Sequence, residues 1–286
     1  MPRSLLRGSS LRLEVAMRSS LEVLEPLQQS AIRAGLSTRR IGTTIHLFQE
    51  VDSTNDEAAA LAGSGETDGA IVIAEAQRLG RGRIGRRWQS PKGLGLYLSV
   101  ILRPTIPPHD APVLTLMGAV AGTEAIERTT GLVTAIKWPN DLIVNGRKVG
   151  GMLGEMAVEG SRLLHVILGI GINVNQTEAD FDGELRQTAS SLRAEAGHPV
   201  DRTAIVRAFC ESLDGWYERF LCDGPLPILE HARRRCLTLG RQVTARFGDQ
   251  EISGLAVELD DDGRLVIRDA MGASHRLLAG DVTLTG

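Results

Sequence analysis

Two short apolar runs, residues 69–75 and 94–102, bracket a segment dominated by glycine and arginine, and this juxtaposition restricts the fold more than any other feature of the chain. Each run suits a strand buried within a sheet, because a strand with one wet face alternates apolar and polar residues and these runs do not. The segment between them, QRLGRGRIGRRW at 77–88, has neither a helical nor a strand period and is predicted to be a long loop.

Strand and helix patterns alternate on either side. Residues 44–51 read as a strand feeding Asp52, Ser53, Thr54 and Asn55, with Asp52 or Ser53 placed to cap an alanine-rich helix over 56–62. Apolar spacing over 110–130, closed by Gly131, predicts a second helix. Residues 142–149 read as a hairpin turning at Asn145 and Gly146, Glu159 and Gly160 mark another turn, and 163–174 is the strand after it. An amphipathic helix is predicted over 200–221, and Pro225 and Pro227 separate it from a shorter one ending near Leu239. Beyond Gly240 come short β segments at 242–247, 252–259, 265–268 and 275–278, with a turn at Asp262 and Gly263. These suggest a small β-barrel appendage, too small to carry a large pocket of its own. A chain of 286 residues fits one main domain with such an appendage, preceded by a leader in which 21–35 reads as one helix.

Composition narrows the class. Against 35 Asp and Glu, 32 Lys and Arg leave a net charge of -3, so affinity for polyanions has to come from a local basic cluster. Cys210, Cys222 and Cys236 have no C-x-x-C spacing and fit a reduced cytoplasm better than a disulfide scaffold or a zinc site. The uncharged stretch at 111–123 falls short of the roughly 20 apolar residues of a membrane span, so a soluble cytoplasmic protein is expected. Arg3, Arg7, Arg12 and Arg18, opposed only by Glu14, have the look of an organelle transit peptide; a floppy leader or a true start at Met17 accounts for them as simply.

Gly80, Gly82 and Gly85 stand in G-x-G-x-x-G spacing, but a dinucleotide fold needs a helix opening at the third glycine and an acidic residue about 20 positions on for the ribose. Arg86 to Pro91 is a poor helix start, and no acidic residue lies between Glu75 and Asp110. With Arg78, Arg81, Arg83, Arg86, Arg87, Lys92 and Arg103 over the same stretch, the segment reads instead as a phosphate-gripping loop: guanidinium forks bind phosphate oxygens bidentately, and glycines let the backbone approach the ligand. A solvated basic loop is the plainer alternative. Lys137, held between an apolar strand and Trp138–Pro139, can present a point charge to a carboxylate or an α-phosphate, although a lysine that simply caps a turn is the plainer alternative. Asp52, Ser53, Thr54 and Asn55 offer groups that can grip a small polar ring such as a urea; taken alone they are a good helix cap. Gly169, Gly171 and Asn173 let something pack closely on a strand.

In this order, EVDSTN at 50–55, GRGRIGRRW at 80–88, KWPND at 137–141, KVGGMLGE at 148–155 and GIGINVN at 169–175 resemble the biotin–protein ligases. The resemblance implies an α+β fold: a mixed β-sheet with flanking helices, like the catalytic domain of class II aminoacyl-tRNA synthetases, over 43–238, and a small C-terminal SH3-like β-barrel over 239–286. It implies activation of biotin with ATP to biotinyl-5'-AMP and transfer to a lysine of the biotin carboxyl carrier protein of acetyl-CoA carboxylase. Carried over by position, Ser53, Thr54 and Asn55 meet the ureido ring, with Gln77, Arg81, Gly82, Arg83 and Lys137 around the valeryl carboxylate. Lys137 and Arg83 are the expected catalytic residues, Arg83, Arg86 and Asn173 the expected ATP contacts, and the basic loop is expected to close over the adenylate. Magnesium is expected to come with ATP, with no tightly bound metal of the protein's own, and the chain to be a monomer or homodimer. Bifunctional members carry an N-terminal winged helix-turn-helix; residues 1–42 are too short for one, so a monofunctional enzyme without specific DNA binding is expected. The competing readings are a lipoate–protein ligase of the same fold, a biotin-responsive repressor and, on the glycines alone, a nicotinamide-dependent oxidoreductase.

Overall fold

The computed structural model describes residues 25–248 and 250–285; the arginine-bearing leader over 1–24 lies outside them. Of the helix expected over 21–35, the described part is helical only at α1 (Gln29–Ala34), because Pro26 and the extended Gln28 stop it from beginning earlier.

Seven strands form the main sheet: β1 (Ile45–Phe48), β2 (Ile71–Ala74), β3 (Gly95–Leu102), β4 (Ala135–Lys137), β5 (Asp141–Val144), β6 (Arg147–Glu159) and β7 (Arg162–Asn173), in the order β1-β2-β3-β7-β6-β5-β4. The pair β1 and β2 is parallel and every other pair antiparallel, so the sheet is mixed. Both bracketing apolar runs form strands, β2 and β3, that are buried along their whole length. Asn145 (φ 49°) and Gly146 (φ 80°) make the predicted tight turn, and Gly160 (φ 59°) makes the next.

Helices pack on one face. On it, α3 (Pro112–Thr130) ends at Gly131 (φ 72°), as its sequence predicts, and lays Gly118 against Leu168 and Gly122 against Leu142 and Met152. A short helix, α4 (Leu185–Thr188), meets β6, and against α3 pack the short α5 (Leu192–Ala196) and the long α6 (Arg202–Asp223), whose first turn is capped by Asp201 accepting from Thr203 and Ala204. The following α7 (Leu226–Arg235) stops four residues short of Leu239 because the chain turns to pair with β4, Leu237 N–H donating to Ile136 O at 3.0 Å. The opposite face is covered only in part, by α2 (Thr54–Gly63), which seats Ala58 and Ala62 with Val72, Ile101 and Ile167.

The C-terminal residues form a second, antiparallel sheet, a small barrel-like unit of β8 (Gln242–Phe247), β9 (Gln250–Leu259), β10 (Leu265–Arg268), β11 (Ser274–Leu277) and β12 (Asp281–Leu284), in the order β11-β10-β9-β8-β12. Strand β12 has no counterpart among the β segments read from sequence. Trp138 fastens this unit to the main sheet, its indole N–H donating to Gly263 O at 3.1 Å.

Candidate active site

Strand register lines up one row of residues across five strands. Tyr97 on β3 stands opposite Gly171 on β7, Gly171 opposite Gly151 on β6, Gly151 opposite Asp141 on β5, and Asp141 opposite Lys137 on β4. Opposed residues share a face of the sheet, so Lys137 looks out on the same side as Gly171. The adjacent row, Ser99, Gly169 and Leu153, shares that side, and so does Ile167, which α2 covers. Beyond the reach of α2 this face opens into a cavity of about 600 Å³.

At one end the start of α2 supplies a nearly buried polar cluster, Ser53, Thr54 and Asn55. Ser53 occupies the cap position, yet its side chain does not cap the helix. Instead the Thr54 N–H donates to Gln77 Oε1 at 2.8 Å, and the Thr54 hydroxyl lies 3.1 Å from the same oxygen. Gln77 Nε2 donates to Ser90 Oγ at 2.8 Å. Asn55 donates through Nδ2 to Glu155 Oε2 at 2.6 Å and accepts at Oδ1 from the Ser99 hydroxyl at 2.6 Å. A Cβ on Gly169 would come within 2.9 Å of Asn55 Cγ, so glycine at 169 is what admits this amide.

The other end is roofed by the basic segment, which is a compact ribbon rather than a slack loop. Arg81 and Arg87 bridge, Gly82 N–H donates to Arg86 O at 2.7 Å, and the tip turns at Ile84 (φ 55°) and Gly85 (φ 68°). No helix opens at Gly85, which removes the dinucleotide-fold reading. The ribbon returns as Trp88, whose indole packs on Gly171; a Cβ there would stand 2.5 Å from Trp88 Cε2. Lys148 Nζ lies 5.5 Å from the Trp88 ring centroid and 2.5 Å from Asp141 Oδ1, while Trp88 Nε1 is buried without a hydrogen-bond partner.

Charges meet at the roof. Arg83 donates to Asn140 Oδ1 at 3.1 Å, and Arg86 pairs with Asp281 at the start of β12. Burial pushes the Asp281 carboxyl up, but the hydrogen bond from Arg86 and the charges of Arg86, Lys137 and Arg83 outweigh it and hold the group below its ordinary value. Burial lowers the pKa of Arg83, partly offset by Asp141 and Asp281. On the far wall Asn173 Nδ2 donates to Ser190 O at 3.0 Å, with Phe181 and Leu185 beside it.

Every site residue expected from sequence lines this one cavity: Ser53, Thr54, Asn55, Gln77, Arg81, Gly82, Arg83, Arg86, Lys137 and Asn173. Arg81 alone among the arginines of this group is held by two carboxylates, Asp56 at 2.8 Å and Glu155 at 2.7 Å.

Residues 47–173 match the Biotin/lipoate A/B protein ligase family and residues 238–284 the Biotin protein ligase C terminal domain. The bifunctional ligase/repressor BirA of Bacillus subtilis is 36% identical over 282 residues, spanning 98% of this chain and 86% of its own. The biotin–[acetyl-CoA-carboxylase] ligase of Paracoccus denitrificans is 34% identical, spanning 79% of this chain and 95% of its own. The chain belongs to the biotin protein ligase family. A solved biotin protein ligase from Aquifex aeolicus, in complex with biotin and ATP, superposes with a TM-score of 0.72 at 30% identity, covering 85% of this chain and 99% of that one.

Three neighbours of the site in this ligase were not singled out from sequence. Asp281 belongs to the C-terminal unit, on the strand that went unread. Ser99 is hidden in the apolar run of β3, and Glu155 closes the KVGGMLGE motif without a partner that spacing identifies. Only pairing of distant strands brings Asp281 to the cavity wall and sets Ser99 and Glu155 behind it, each hydrogen-bonded to Asn55. Among the described residues no group of three or more His, Cys, Asp or Glu is arranged to hold a metal ion, and no helix is long and apolar enough to cross a membrane.

Proposed function

We propose that this chain activates biotin with ATP to biotinyl-5'-AMP and transfers the biotinyl group to a lysine of the biotin carboxyl carrier protein of acetyl-CoA carboxylase. One observation carries the reading: a single cavity joins the hydroxyl and amide cluster of Ser53, Thr54 and Asn55 to the cations Arg83, Arg86 and Lys137. The first end offers both donors and acceptors to a cyclic urea, and Gln77 holds that end in shape through Thr54. The second receives a carboxylate and a triphosphate together. The complex of the Aquifex relative with biotin and ATP supports the same pair of ligands.

In the first step a biotin carboxylate oxygen attacks the α-phosphorus and pyrophosphate leaves. Two anions have to approach each other, and Lys137 and Arg83, fixed on β4 and on the ribbon, offset their repulsion and stabilise charge gathering at phosphorus without a covalent enzyme intermediate. Magnesium would travel with the nucleotide, since the nearest carboxylates, Asp141 and Asp281, are paired with Lys148 and Arg86. In the second step the carrier lysine amine attacks the acyl carbon, AMP leaves and the amine loses its proton. Asn173 is assigned to the adenine side. The test is biotin-dependent exchange of labelled pyrophosphate into ATP, with lipoate in parallel, followed by transfer to purified carrier protein. Exchange with biotin alone is expected; exchange with lipoate alone moves the chain to lipoate ligation, and none with either ends the adenylation reading.

A further inference from the structure

Ser99 is wholly buried on β3 beneath the first turn of α2, opposite Gly169, and the hydrogen-bond directions around it are fixed by valence. Its Oγ lies 2.6 Å from Asn55 Oδ1 and 2.8 Å from Thr54 Oγ1. The Asn55 amide cannot be reversed, because its Nδ2 faces the Glu155 carboxylate, which only accepts. Asn55 Oδ1 therefore needs a donor, and the single proton of Ser99 goes to it. Gln77 is fixed in the same way: its Oε1 receives the Thr54 N–H, which only donates. The Thr54 hydroxyl then sends its own proton to Gln77 Oε1 or to Ser99 Oγ, and receives none from either. Its lone pairs are left for the cavity.

We infer that Ser99 is a positioning residue for substrate selection: by committing its proton to Asn55 it makes the Thr54 hydroxyl an acceptor, so this end of the cavity selects a ligand that offers N–H there. A cyclic urea does so; a cyclic carbamate, with oxygen in place of one N–H, presents a lone pair to a lone pair. Removing the Ser99 hydroxyl frees the Asn55 amide and lets Thr54 rotate, blurring that choice. Ser99 has this role only if the cavity takes the urea of biotin, as proposed above.

The experiment is pyrophosphate exchange by the full chain and its Ser99→Ala variant, with biotin, with its carbamate analogue and with ATP titrated separately. The expected result is a rise of about tenfold in the KM for biotin, the scale of one lost hydrogen bond, with kcat and the KM for ATP within twofold of the parent. Preference for biotin over the carbamate is expected to fall by a similar factor, and Ser99→Thr, which returns the hydroxyl, to recover it. An unchanged biotin KM, or equal rises in the biotin and ATP KM values together with a lowered Tm, overturns the role of Ser99. Absence of biotin-dependent exchange by the parent chain is a different outcome: it overturns the biotin reading itself, and the inference with it.

Discussion

Gly169 and Gly171 lie two residues apart on one face of β7, so alanine at either adds the same methyl group to the same wall and displaces a different neighbour. At 169 the methyl meets Asn55, 2.9 Å from Cγ; at 171 it meets the Trp88 indole, 2.5 Å from Cε2. Ordinary carbon contacts begin near 3.5 Å, so each neighbour must recede by roughly 0.5 to 1 Å. Neither glycine has a left-handed φ, so backbone strain does not confuse the comparison. Asn55 is tied on both sides, to Ser99 and to Glu155 at 2.6 Å each, and cannot recede without lengthening one of these bonds. Each such bond is worth about 1 kcal/mol, and a 1 Å displacement of a binding group can cost on the order of a hundredfold. Gly169→Ala is therefore expected to raise the KM for biotin by ten- to a hundredfold. Trp88 has no hydrogen bond at Nε1 and yields more easily; it stands between the polar cluster and Asn173, so Gly171→Ala is expected to raise the KM for ATP and spare that for biotin. Pyrophosphate exchange with each substrate titrated in turn decides it. If both variants raise the same KM by the same factor, the ordering of biotin and nucleotide along β7 is wrong.

Three further outcomes are expected. Arg202→Ala strands the buried carboxylate of Glu75, now 2.7 Å from the guanidinium, and is expected to cost about 3–5 kcal/mol in urea denaturation, much more than the joint replacement Glu75→Gln with Arg202→Met; a loss under about 1 kcal/mol would show that water reaches the pair. Lys137→Ala is expected to lower exchange turnover by about a hundred- to a thousandfold, the effect of losing one preorganised donor, and near-normal turnover would remove Lys137 from the chemistry. Because the folded-state pKa of Asp281 lies below the ordinary 3.8, the stabilisation it gives the ribbon is present above that value and lost as pH falls through the depressed one. Proteolysis at the ribbon is thus expected to be flat through neutral pH and to rise only in strong acid, and Asp281→Asn to abolish that rise; a rise centred near neutrality would be inconsistent with the assignment.

Much of the fold was legible because local chemistry has few ways to be satisfied. Asn145–Gly146 and Gly160 permit the positive φ that tight hairpins require, and Gly131 ends α3 for the same reason. Asp201 is a cap of the ordinary kind, and it moved the start of α6 only slightly. What failed was tertiary. Among the described residues of the helix expected over 21–35, only Gln29–Ala34 is helical, and α7 ended early because Leu237 had an edge strand to join. Strand β12 is short, half-exposed and polar at its start, so it lacks a period of its own; it exists because β8 offers it an edge.

The candidate site was legible for a different reason. Its residues lie in five separated stretches, and what unites them is register, which no stretch contains by itself. The glycines of GIGINVN were the visible trace of that register: a strand gives up side chains at 169 and 171 only where something from elsewhere must lie flat on it, here Asn55 and Trp88. The same requirement explains why Lys137 had to be tied to a strand. Side chains alternate between faces, so slipping β6 against β7 by one residue would turn Gly151, and with it Asp141 and Lys137, onto the face that α3 buries. The apolar contacts of Met152, Leu142 and Leu168 with α3 oppose that slip, so the packing on one side of the sheet holds the charge of Lys137 in place on the other.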